Sequence, residues 1–239
     1  IEVSHLRKTF RVARRGAGFS QAVKALFHRE YEEIRALDDV SFTIGDGEMV
    51  GYIGPNGAGK SSTIKVLSGI LTPDSGSCLI DGRTPWKERT AHVRDIGVVF
   101  GQRTQLWWDV PVADSFDLLK EIYGIDEGTY RNNVGELTEL LGLEQLLHSP
   151  RILFLDEPTI GLDAVSKLAV REFILRLNRE RGTTVLLTTH DMQDIEALAS
   201  RVLLIGRGKI LLDGTVEDIR RGGESIDETV AQLYRQYQI

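Results

Sequence analysis

Cysteine is almost missing from this chain. Cys78 is the only one in 239 residues, so no intrachain disulfide can form, a composition that suits a reducing cytosol. Long apolar runs are missing too. No stretch reaches the ~18 residues that a membrane-spanning helix needs. Positive charge is not in excess: 29 Lys and Arg stand against 35 Asp and Glu, for a net charge of −6. That balance offers no general attraction to nucleic acid. No secretory leader, internal repeat or low-complexity tract is visible. The first residue is Ile, so the sequence is expected to be less than a whole gene product. What remains is chain enough for a substantial core, as one large domain or one domain with a small appendage.

The most informative run is Gly54-Pro-Asn-Gly-Ala-Gly-Lys-Ser61. It fits G-x-x-x-x-G-K-[ST], the phosphate-binding P-loop. Glu48-Met-Val-Gly-Tyr-Ile53 before it reads as a buried strand, and Ser62-Thr-Ile-Lys-Val-Leu-Ser68 after it has helical spacing. Gly54, Gly57 and Gly59 let the backbone turn where a Cβ would clash, so several N–H groups can face one phosphate. The run from Gly54 through Pro55, Asn56, Ala58 and Lys60 to Ser61 and Ser62 is the candidate nucleotide cradle. Lys60 supplies a point charge to the β- and γ-phosphates, the Ser61 hydroxyl suits Mg²⁺, and the helix start adds its positive dipole end.

The rest of the chain alternates. Ile1 to Leu6, Leu37 to Ile44, Ser77 to Asp81 and Ile96 to Phe100 read as strands. Residues 113–147 read as helical, through Phe116, Leu119, Leu137, Leu140 and Leu141. Ile152-Leu-Phe-Leu155 is a continuous apolar run, as in a strand covered on both faces. A helix over Ala164 to Asn178, a strand over Thr183 to Leu187 and a terminal helix over Ile226 to Tyr237 follow. Strands and helices alternating around a P-loop predict an α/β fold with a mainly parallel sheet. Residues 11–36 interrupt the early strands. Arg11 to Arg29 holds five Arg or Lys and no acid, and Phe19, Val23, Leu26, Phe27, Tyr31 and Ile34 share one helical stripe. Two readings stay open: a basic amphipathic helix at a membrane surface or partner, or a surface insertion packed on its own domain.

Asp156 and Glu157 close the apolar run, and α/β sheets bind ligands at the C-terminal edge of their strands. There Asp156 can hold Mg²⁺ and Glu157 can polarise the water that attacks a γ-phosphate. His190 ends the following strand and can hydrogen-bond the same phosphate, or be an ordinary capping or surface histidine. No Asn-Lys-x-Asp guanine motif occurs, which argues against a GTPase.

In this order the motifs resemble the ATP-binding cassette (ABC) family, the nucleotide-binding subunits of ABC transporters, over nearly the whole chain. Gly54 to Ser61 matches Walker A, and Ile152 to Glu157 matches Walker B with its catalytic glutamate. Gly161-Leu-Asp163 resembles the D-loop and His190 the switch histidine. The resemblance puts Phe10 in the place of the aromatic that stacks on adenine. It makes Gln102, with Gln105 as competitor, the Q-loop glutamine at Mg²⁺ and the membrane subunit. Gly97 to Asp109 looks like cassettes paired with ABC-2-type membrane subunits in drug and antibiotic exporters.

The resemblance therefore implies a P-loop core with a mainly parallel sheet, an antiparallel β subdomain and a helical subdomain. It divides the chain into an ATPase domain over 1–222 and a C-terminal helix over 223–239. It implies ATP and Mg²⁺ as ligands, and a second cassette and a membrane subunit as partners. The latter is expected near 102–111, where Leu106, Trp107, Trp108 and Val110 form an apolar patch. Location at the cytoplasmic face of the membrane follows from that partner.

One departure is large. The Leu-Ser-Gly-Gly-Gln signature is absent before Walker B. Leu141-Gly-Leu-Glu-Gln145 resembles what precedes it, and Leu146-Leu-His-Ser-Pro150 the end of the helix that follows it. Either a segment belonging between Gln145 and Leu146 is not included in this sequence, or the cassette has lost it. Without it, Mg-ATP binding is expected to survive while closure and turnover fail. A nucleotide-binding regulatory module is thus the main rival. A soluble ABC ATPase on DNA or ribosomes would need a coiled-coil insertion or a second cassette, and neither is here.

Overall fold

The computed structural model describes residues 1–13, 31–101, 112–137, 148–220 and 225–238. The chain opens with β1 (Glu2–Ala13), which pairs antiparallel with β2 (Tyr31–Thr43). β3 (Met49–Ile53) leads into α1 (Lys60–Leu67), followed by β4 (Ser75–Leu79), α2 (Arg89–Asp95) and β5 (Ile96–Phe100). Helices α3 (Val112–Tyr123) and α4 (Glu127–Leu137) come next. Then follow β6 (Ile152–Asp156), α5 (Ala164–Arg181), β7 (Thr184–Thr188), α6 (Met192–Leu198), β8 (Arg201–Gly206) and β9 (Lys209–Thr215). α7 (Val216–Arg220) and α8 (Ile226–Gln236) end the chain.

Two sheets result. One is antiparallel, in the order β2-β1-β4. The other runs β5-β6-β7-β3-β8-β9 and is parallel except for β9. β6, β7 and β8 feed both core clusters because alternate side chains point to opposite faces. Leu153, Leu155, Val185, Leu187, Val202 and Leu204 pack with α5, α6 and α8. Phe154, Leu186, Leu203 and Ile205 pack with α1 and the antiparallel sheet. This explains the continuous apolar run at 152–155. Cys78 lies in the second cluster, and burial pushes its thiol up to about 12.

One sequence expectation needs correction. The helical stripe does not extend to Tyr31 and Ile34: both lie on β2, paired with β1. Residues 14–30, which would carry the rest of that stripe, lie outside the described residues. The helical pattern from 113 resolves into two helices, divided at Gly124, whose φ of 63° ends α3. The Asp126 side chain accepts from Thr129 N at 3.0 Å in the first turn of α4. Helix α8 sets Ile226 and Val230 into the core with α5 and α6, so it packs on the main body.

Candidate functional site

The parallel strands deliver the chemistry-bearing residues to one edge. β3 runs into Gly54, β6 into Asp156 and Glu157, and β7 into Thr188, Thr189 and His190. In the sheet order β7 lies between β6 and β3, so His190 comes from between the two motif-bearing strands.

The loop after β3 is held from beneath. Thr63 Oγ1 donates to Gly59 O at 3.1 Å, so the fully buried Tyr52 hydroxyl donates to Thr63 at 3.0 Å. Gly208 N donates to Ala58 O at 2.9 Å and Ala58 N to Pro55 O at 3.2 Å. Two glycines are required by space. A Cβ on Gly59, whose φ is 116°, would meet Ala36 O at 2.4 Å, and one on Gly54 would meet Ile205 O at 2.2 Å. Gly59 is also the N-cap of α1 and makes no side-chain cap bond. The first-turn N–H groups of Lys60, Ser61 and Ser62 therefore have no acceptor of the helix's own and suit an anion.

Lys60 is buried. Its Nζ donates to Gly54 O at 2.6 Å and Pro55 O at 3.3 Å. Burial pulls its pKa below the ordinary lysine value, against the opposing pull of Glu157 and Asp156. His190 Nε2 lies 3.1 Å from Glu157 Oε1 and 3.4 Å from Lys60 Nζ. One ring nitrogen cannot donate to the first and accept from the second. The shorter, charge-assisted contact to the carboxylate is the hydrogen bond, and Lys60 is a neighbour. His190 N also donates to Glu157 Oε2 at 3.3 Å. Glu157 sits at a φ of 59°, an uncommon conformation for a side-chain-bearing residue. Its N–H is shared between Thr188 O at 3.0 Å and Thr188 Oγ1 at 3.2 Å. Gly101 permits the close approach of β5, since a Cβ there would sit 1.8 Å from Glu157 O.

A cavity of about 440 Å³ opens at this edge. Pro55 to Ser62 except Ala58, together with Glu157 and His190, line it, as do the apolar Phe10, Ile34, Ala36 and Ile160. Of the described candidate residues for nucleotide, metal and catalysis, Gly54, Ala58 and Asp156 do not line the cavity. Gln102 and Gln105, the patch at 106–111 and the signature region at 138–147 lie outside the described residues. Ile34 and Ala36 were hidden by the helical reading of 11–36. Their i, i+2 alternation on β2 is the signal that exposes them.

The arrangement fits a nucleoside triphosphate with a hard divalent cation. The glycine loop and uncapped helix start suit phosphate, and the Ser61 hydroxyl and Asp156 carboxylate are oxygen donors. Among the described residues no group of three or more His, Cys, Asp or Glu forms a metal cage. A cation shared with phosphate oxygens does not need one.

Comparison with known proteins agrees with this geometry. The family model described as ABC transporter matches residues 37–160. The ABC transporter ATP-binding protein NatA of Bacillus subtilis (strain 168) is 30% identical over 223 residues, 84% of this chain and 90% of that protein. The linearmycin resistance ATP-binding protein LnrL of the same organism is 31% identical over 222 residues, 83% of this chain and 71% of its own length. A solved ATP-binding subunit of an ABC transporter superposes with a TM-score of 0.77 at 26% identity, covering 97% of this chain and 98% of that one. With the glycine loop, Glu157 and His190 meeting at one cavity, and with these matches, this chain belongs to the ABC transporter family.

Proposed function

We propose that this chain is the ATP-hydrolysing subunit of an ABC-2-type exporter, acting with a second cassette and a separate membrane subunit. The observation that carries this reading is the meeting of the glycine loop, Glu157 and His190 around one cavity. In this reading the loop amides and Lys60 hold the β- and γ-phosphates, while Phe10 and Ile34 cover the base. Ser61 and Asp156, with Gln102, hold Mg²⁺, which neutralises charge on the phosphates when bound. Glu157 accepts the proton of the attacking water. His190, oriented by Glu157, hydrogen-bonds the γ-phosphate. Catalysis is then positioning and electrostatics, with no covalent intermediate on the protein.

Export is supported by the resistance role in the name of LnrL and by the ABC-2-like run from Gly97 to Asp109. A second cassette is supported by apolar side chains left exposed between Glu157 and the first turns of α5: Ile160, Val165 and Leu168. Membrane attachment is assigned to a partner contacted near 102–111, at the cytoplasmic face. Among the described residues no helix is long and apolar enough to cross a membrane.

The test is Lys60→Ala. Removing the loop's cation while keeping its backbone weakens nucleotide binding and abolishes turnover, because Lys60 meets phosphate charge in ground and transition states. Unchanged affinity together with unchanged turnover would overturn the reading. The missing Leu-Ser-Gly-Gly-Gln signature favours a second reading, a nucleotide-binding regulatory module. Wild-type protein that binds Mg-ATP but releases no phosphate in steady state selects that one.

A further inference from the structure

Thr188 ends β7 directly opposite Asp156 on β6 and is fully buried. Its hydroxyl donates its one proton to Asp156 Oδ1 at 2.7 Å. The same oxygen lies 3.2 Å from Glu157 N and accepts from it. One side chain thus engages both consecutive acids, the carboxylate of the first and the backbone of the second. Among the described residues this is the only hydrogen bond to the Asp156 side chain. Oδ1 is occupied by a neutral donor, and Oδ2 is left for a cation.

We propose that the Thr188 hydroxyl is a positioning group for metal binding: it fixes the Asp156 carboxylate so that Oδ2 is the metal-directed oxygen. It also braces the left-handed turn at Glu157. The inference rests on the proposal that Asp156 holds Mg²⁺. Thr188 does not touch metal or nucleotide in this role. It acts as outer partners of metal ligands do, by restricting the ligand's orientation and tuning its basicity. Valine would fill the same space with no donor, and serine would keep the donor in a smaller side chain.

The experiment is calorimetry of a non-hydrolysable ATP analogue, with and without Mg²⁺, on wild type, T188V and T188S. Metal-free affinity is expected to be alike in all three. The gain in affinity on adding Mg²⁺ is expected to fall about tenfold or more in T188V and to be largely kept in T188S. T188A replaces T188V if the latter does not fold. An undiminished Mg²⁺ gain in the hydroxyl-free variant overturns the positioning role. So does an equal loss of metal-free and metal-bound affinity, which marks general damage to the fold. Loss of the gain in T188S, which keeps the hydroxyl, also overturns it. A wild type with no Mg²⁺ gain at all instead overturns the assignment of Asp156 to the metal.

Discussion

Two sets of carboxylates stand at or close after the ends of β6 and β7, and they are treated in opposite ways. Asp194 is fully buried and nearly saturated. It accepts from Thr159 Oγ1 at 2.5 Å, Thr189 Oγ1 at 3.0 Å and Arg171 Nε at 2.6 Å. Arg171 Nη2 lies 2.6 Å from the same oxygen but off the line of its N–H bonds, so it contributes charge more than a second hydrogen bond. Arg171 also reaches Asp191 at 3.6 Å, which Lys167 holds at 2.6 Å. Asp156 and Glu157, by contrast, receive one hydroxyl and one histidine. A carboxylate has about four acceptor positions. One that is answered on nearly all of them joins elements together: here α5, the loop after β6 and the loop before α6. One left largely unanswered beside a phosphate loop is placed to receive a ligand.

The sharpest way to break this contrast is to remove the charge beneath Asp194. Arg171→Met leaves a buried carboxylate with two hydroxyl donors and no counter-charge, a change expected to cost about 3–5 kcal/mol of stability. Urea unfolding measures it. At temperatures where the variant is folded, nucleotide affinity should stay close to wild type. A midpoint unchanged from wild type would sink the idea that Asp194 is a clamp. Glu157→Gln should behave the other way. It keeps shape, removes the base, and lowers ATP hydrolysis by about 100-fold or more in a protein competent for turnover. Nucleotide binding and the urea midpoint should hardly move. Phosphate release near the wild-type rate would remove Glu157 from its role, and a stability loss as large as that of Arg171→Met would erase the distinction.

The glycine-loop lining of the cavity was legible in the residues themselves, whereas of the apolar lining only Phe10 was reached, and that through the resemblance, for a physical reason. The run from Gly54 to Ser61 is contiguous, and its glycines answer local needs of the backbone. The 152–155 run declares a strand buried on both faces, so the acids after it had to emerge at an edge. Phe10, Ile34 and Ala36 come together only through the pairing of β1 with β2, and register between distant strands leaves no local mark. Thr188 was hidden in the same way, because its contact with Asp156 depends on β6 and β7 lying in one register. Apolar stacking without a fixed polar partner also predicts a smaller effect than the acids do. Phe10→Ala should weaken nucleotide binding by about tenfold, in the range of base–aromatic stacking, with turnover at saturating ATP nearly kept. An affinity equal to wild type would take Phe10 out of the site.

The smallest effect sharpens the contrast with a third carboxylate on the same loop. Asp163 is the N-cap of α5 and accepts from Val165 N, Ser166 N and Ser166 Oγ, each at 2.9 Å. It is answered like Asp194, yet it faces solvent. The backbone N–H of Ser166, then its hydroxyl, hold the Asp163 pKa below its ordinary value of 3.8. A carboxyl whose folded pKa is depressed adds stability above the unfolded value and loses it as pH falls through the folded one. Asp163→Asn keeps an acceptor for the cap but cannot ionise. The melting temperature of wild type should therefore exceed that of the variant slightly at neutral pH. The gap should close as pH drops below about 4, the usual carboxylate range. A gap that stays constant from neutral to acid pH would mean that Asp163 acts through shape and hydrogen bonding alone. Saturation by neighbouring donors would then mark a structural role equally well with or without the charge.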